Sequence, residues 1–132
     1  MSVALKQYAK CGAQGGIQDA SPHRLIQLLY RGALDRMASA KGAIARGDLQ
    51  GKAELIGKSI AIIGGLQDAL SKEGGEITEN LAGLYAYVTD QLLKASYRND
   101  EGTIDECIGL LEPVASAWDE IAFDAVPTAV GM

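Results

Sequence analysis

Few side chains in this 132-residue chain are suited to chemistry: one histidine (His23), two cysteines (Cys11 and Cys107) and 17 carboxylates. Phosphoryl transfer through a histidine wants the imidazole exposed in mid-helix, with a basic neighbour and clear space around it. His23 instead follows Pro22 in what reads as a first helical turn, so a surface or capping role is the simpler reading. A helical phosphotransfer or signalling domain using His23 stands as the alternative. Dinuclear metal sites in helix bundles draw on Glu and Glu-x-x-His ligands, and no Glu-x-x-His occurs. The adjacent acids Asp105-Glu106 and Asp119-Glu120 read as solvated faces. The two cysteines lie too far apart in sequence to suggest a disulfide framework. Cys107 falls among apolar positions and reads as a small core residue, and Cys11 as an incidental thiol. The expectation is a protein with no catalytic residue, no metal and no cofactor.

Composition narrows the class of partner. Twelve basic residues against 17 acidic ones give a net charge of −5. That balance argues against non-specific nucleic-acid binding, which needs a basic face, and against docking on anionic lipid. No run approaches the roughly 18 apolar residues of a membrane span, and Met1–Lys10 lacks the apolar core of a signal peptide. With 48% apolar residues the chain can build a core. Only 5% are aromatic, so that core must be aliphatic. The expectation is a single-domain, soluble protein of a reducing compartment.

Apolar spacing supplies the architecture. Ser21 suits a helix N-cap, because its hydroxyl can accept a free first-turn N–H, and Pro22 suits the first helical position. Ile26, Leu29, Ala33, Met37, Ala40 and Ile44 then recur at three and four, one stripe of a helix that ends at Gly47. Asp48 can cap a second helix striped by Leu49, Ala53, Ile56, Ile60, Ile63, Leu66 and Leu70, stopped by Glu73-Gly74-Gly75-Glu76. Ile77, Leu81, Leu84, Val88, Leu92 and Ala95 stripe a third, which Asn99-Asp100 closes. Either of those two residues can cap the fourth, striped by Ile104, Ile108, Leu111, Val114, Trp118 and Ile121. Such short connections force each helix back along its predecessor. The predicted fold is all-α, an antiparallel up-down-up-down four-helix bundle over 21–123 with a short N-terminal amphipathic segment. Residues 1–20 form that lead, and 124–132 read as a flexible tail. Ile60 and Leu84, at mid-stripe, are expected to be buried. Pro113 is expected to kink the fourth helix. The mid-helix glycines Gly32, Gly42, Gly57, Gly64, Gly65, Gly83 and Gly109 read singly as points of close helix approach, or together as a scaffold left soft for a partner.

What remains is surface. Tyr30, Tyr85, Tyr87 and Tyr97 fall on helices, several beside the stripes. Tyr85 and Tyr87 point about 200° apart, so both cannot face one core. Ile62 and Leu93 also lie beside the stripes. Second apolar stripes suit oligomerisation or a partner helix, or equally a core face wider than a strict heptad seam.

Several segments in order resemble the FliS family of flagellar secretion chaperones: Ala20-Ser21-Pro22-His23-Arg24-Leu25-Ile26 with Leu29-Tyr30-x-Gly32-Ala33, then Gly74-Gly75-Glu76-Ile77-x-x-Asn80-Leu81-x-x-Leu84-Tyr85-x-Tyr87, then Arg98-Asn99-Asp100 and Ala117-Trp118. The likeness runs from about Tyr8 to Ile121. It departs at Arg31, where the family commonly has an acidic residue, at Ser96, and at Pro113. The resemblance implies a cytoplasmic protein, monomer or homodimer. It would bind the C-terminal segment of flagellin, block premature polymerisation and deliver the subunit to the export gate, with an anti-sigma factor as a further partner. It also implies that Leu5 and Tyr8 lie near the client groove. With Tyr30, Ile62, Tyr85 and Leu93 they form the expected partner-binding set.

Overall fold

The structure is a computed structural model that describes residues 21–70 and 75–131, with side chains as far as Ile121. The described residues form four helices: α1 (Pro22–Arg46), α2 (Leu49–Leu70), α3 (Glu76–Arg98) and α4 (Glu101–Gly131). The helix ends are chemical events that the sequence announces. Ser21 Oγ accepts from the Arg24 N–H at 3.1 Å, and Pro22 occupies the first turn. Gly47 closes α1 in the left-handed region at φ 76°, where a Cβ would be strained. Asp48 caps α2 by accepting from the Gly51 N–H at 2.9 Å. Asn99 takes φ 54° to close α3. Asp100 accepts from the Thr103 N–H at 3.2 Å and from its hydroxyl at 2.8 Å, capping α4.

α1 packs against α2 and α4, and α3 closes the ring by packing against the same two helices. This is the four-helix bundle expected from the spacing. Its centre holds Leu29, Ala33, Met37, Ile63, Leu66, Val88, Leu92, Ile104, Cys107 and Leu111. Charge is segregated between the two helices that complete the ring: α1 has five basic residues and one acidic, whereas α4 has seven acidic and neither lysine nor arginine. They are tied by Arg31, which reaches Glu112 at 2.9 Å and Asp119 at 2.6 Å, and by the Lys41–Asp105 pair.

Three expectations need correction. The core stripe of α2 runs through Lys52, Ile56, Ser59, Ile63 and Leu66. Leu49 and Ala53 are exposed, and Ile60 packs on the core only in part. The displaced phase has a simple cause: two stripe positions are polar. Ser59 satisfies its hydroxyl by donating to the Leu55 carbonyl of the preceding turn at 3.0 Å. In α3 the centre falls on Tyr85, with Leu84 partly buried and Ile77 exposed. Finally, α4 continues past both Phe123 and Pro127 to Gly131. Pro113 lies within this one continuous helix, in keeping with the single fourth helix expected there. The lead expected over 1–20 lies outside the described residues.

Close approach does not explain four of the mid-helix glycines. A Cβ built at Gly57, Gly64, Gly83 or Gly109 meets nothing within 4 Å. Alanine at each should therefore stabilise the bundle by about 0.5–1 kcal/mol, through helix propensity alone. Melting temperatures of the four single variants check this. A fall at any of them would mean that its Cβ meets an obstacle.

Candidate interaction surface

The structure divides the expected partner-binding residues. Tyr30, Ile62 and Tyr85 are core residues, 3%, 5% and 1% exposed. The premise that they lie off the core is thus corrected. The two tyrosines meet across the bundle from α1 and α3, ring centroids 6.4 Å apart, and their hydroxyls hydrogen-bond to each other. Mutual pairing is what allows two phenolic tips in an aliphatic centre, since a buried hydroxyl without a partner is costly. Burial raises the pKa of both phenols, and for Tyr85 the hydrogen bond with Tyr30 raises it further. Leu93, by contrast, is 56% exposed. Leu5 and Tyr8 lie outside the described residues.

Leu93 belongs to a wider apolar surface. The Lys52 ammonium donates to the Ser96 carbonyl at 2.8 Å and to Asn99 Oδ1 at 2.6 Å. A cation at the carbonyl end of α3 is favourable both to the helix dipole and to the orphan carbonyls there. The same contact seats the start of α2 beside the end of α3. Exposed Leu49 and Ala53 on α2, and exposed Leu93 and Tyr97 on α3, therefore lie at one end of the bundle. Along α2 the face continues through Gly57, Ala61 and Gly64, at helical spacing from Ala53. Along α3 it continues through Ala86 and Gly83, with exposed Asp90, paired to Lys94, in the same row. Small residues on both helices leave the backbone open to close approach by another chain. Sequence reasoning missed Leu49 because it reads as a stripe position, and missed Lys52 altogether. The signal for Lys52 would have been a lysine at core phase opposite a helix C-terminus.

His23 is committed to packing. Its ring lies 4.8 Å from that of Trp118, whose indole N–H donates to the His23 carbonyl at 3.0 Å. The imidazole Nδ1 is buried and without a hydrogen-bond partner. This is a helix-anchoring contact between α1 and α4, not the open mid-helix setting that phosphoryl transfer needs. On the same side Asp119 also accepts from Gln27 at 2.7 Å. Arg31 first, then Gln27, holds its carboxyl below the usual carboxylate range. Among the described residues no group of histidine, cysteine and acidic side chains could hold a metal ion, and no helix is long and apolar enough to cross a membrane.

The family described as flagellar protein FliS matches residues 4–125. The chain belongs to the FliS family. FliS relatives agree with that match over nearly their whole length. The flagellar secretion chaperone FliSB of Pseudomonas aeruginosa is 48% identical over 120 residues, covering 90% of this chain and 95% of the relative. The flagellar secretion chaperone FliS of Salmonella typhimurium is 41% identical, covering 89% of each chain. That of Vibrio cholerae is 36% identical, covering 92% and 90%. As a FliS protein the chain is a flagellar export chaperone, which acts by holding a client protein and not by catalysis.

Proposed function

We propose that the protein binds the C-terminal segment of newly made flagellin in the bacterial cytoplasm. Covering that segment blocks premature polymerisation until the subunit reaches the export gate. The observation that carries this reading is the FliS match across residues 4–125. The surface is consistent with it. A segment that folds on binding needs an extended apolar face with room for its backbone. The α2/α3 side offers one, with Leu49, Leu93 and Tyr97 as large contacts, glycine and alanine among them, and Asp90 as a charged point on α3. Leu5 and Tyr8 join the proposed contact set through the family resemblance.

Co-purification with flagellin tests the proposal. Full-length flagellin is expected to be retained, and flagellin lacking its C-terminal segment to be lost. Retention of the truncated client would overturn the reading.

A further inference from the structure

The other side of α3 carries a second exposed apolar strip, of different electrostatic character. Tyr87 donates its hydroxyl to Glu106 Oε2 at 3.1 Å, and the Cys107 thiol lies 3.9 Å from the Val88 carbonyl, so this side of α4 rests against α3. Leu110, Pro113, Ala117 and Ile121 follow at spacings of three and four, facing outward beside that contact. All four are exposed, Ile121 by 50%, and Tyr87 stands across from them at 44%. The strip is bordered by exposed Glu106 and Glu120, on a helix with no basic residue to offset them. Asp105, Glu112 and Asp119 are turned to the opposite flank, where Lys41 and Arg31 engage them. Lys94 of α3 is held by Asp90 at 3.1 Å.

We infer that the α3/α4 face is a second docking surface, for a cationic amphipathic helix of a partner protein. The apolar strip from Leu110 to Ile121 spans about 16 Å, three helical turns, which matches the apolar side of one short helix lying in a groove. Lysines or arginines flanking that side would meet Glu106 and Glu120. The same carboxylates disfavour an anionic membrane or a nucleic acid. They also disfavour a second copy of this chain, because a two-fold contact would set α4 carboxylates against each other. The inference does not rest on the flagellin reading, which concerns the other side of α3.

The test uses the full-length protein and a labelled designed peptide of about four helical turns, leucine on one face and lysine on its flanks. A version with glutamate in place of lysine serves as control. The lysine peptide is expected to bind, to protect Glu106–Ile121 from hydrogen exchange, and to weaken as salt rises. Binding should fall about tenfold or more for Leu110→Ser/Ile121→Ser, and separately for Glu106→Lys/Glu120→Lys, both with unchanged melting temperature. Flagellin binding by these variants is expected to be intact. Six results overturn the inference. Equal binding of both peptides, or of all variants, would show attraction without a site. Protection confined to α1 or α2 would move the site. Loss of flagellin by the same variants would make this the client groove. A gain of about tenfold on Lys6→Glu/Lys10→Glu would assign the face to the chain's own leading residues. A dimer broken by Leu110→Ser/Ile121→Ser would assign it to a second copy.

Discussion

Tyr85→Ala is expected to cost about 3–5 kcal/mol, the range for emptying a large aromatic site in a core. A domain of this size has only roughly 5–15 kcal/mol of stability in total. Tyr85 is 1% exposed at the centre of α3, and its removal also strands the Tyr30 hydroxyl in an apolar interior. Leu93→Ala, five positions after Val88 on the outward side, should change stability by no more than about 0.5 kcal/mol. The two variants separate a core role from a contact role when thermal melting and flagellin affinity are measured on both. Tyr85→Ala loses stability and binding together. Leu93→Ala is expected to lose about 2 kcal/mol of binding, roughly 30-fold in affinity, at unchanged melting temperature. If Tyr85→Ala melts like the parent protein, the central position of Tyr85 is wrong. If Leu93→Ala alters neither quantity, the client lies on another face.

The second large effect is alkaline instability. Burial pushes the Cys107 thiol up to about 11, and raises the Tyr30 and Tyr85 phenols above their ordinary value near 10. All three groups are neutral in the folded state, and each charges more readily in the unfolded chain. Their stability contribution is therefore complete below the unfolded pKa, and it is lost as pH rises toward the folded one. For the thiol the window runs from about 9 to about 11; for the phenols it opens near 10 and extends upward. Each group in its window costs about 1.4 kcal/mol per pH unit. Denaturant midpoints at pH 8, 9, 10 and 11 should fall with a slope that steepens above 10. Cys107→Ala should remove the limb between 9 and 10 and leave the steeper one. A midpoint that stays level to pH 11 would mean that water reaches these side chains in the native state.

The helix boundaries other than the end of α4 were legible in the sequence because they depend on local chemistry. A serine before a proline, a glycine after a striped run, and Asn99-Asp100 between two stripes each have one local use, and each residue takes it. The phase within the helices was less legible because periodicity counts only apolar types. Lys52 and Ser59 occupy the core side of α2, one lending its stem to the interior while its head caps another helix, the other bonding back along its own helix. Skipping them moved the apparent stripe onto Leu49, Ala53 and Ile60. The tyrosines failed as surface candidates for a related reason. A phenol resembles an interface residue until a second phenol supplies its hydrogen bond, and Tyr30 and Tyr85 are 55 residues apart in sequence. Leu93 was legible because it has no such partner and falls off every stripe. The length of α4 was hidden by Pro127 and the lack of a period after Phe123, neither of which stopped the helix.

The segregation of charge between α1 and α4 bears on how the chain closes. These helices are the most distant in sequence, yet they lie side by side, so joining them forms the longest loop in the molecule. Loop closure carries an entropic cost that grows only slowly with length, and here the two ends of the loop attract each other before any side chain interlocks. The pull acts over about a Debye length, roughly 8–10 Å at moderate salt, far beyond the reach of packing forces. Electrostatic steering, familiar from the encounter of two proteins, thus operates within one chain. It favours the basic first helix over α2, whose two lysines and two acids cancel, as the neighbour of the acidic last helix, so raising the salt is expected to slow refolding more than it lowers the stability of the finished bundle.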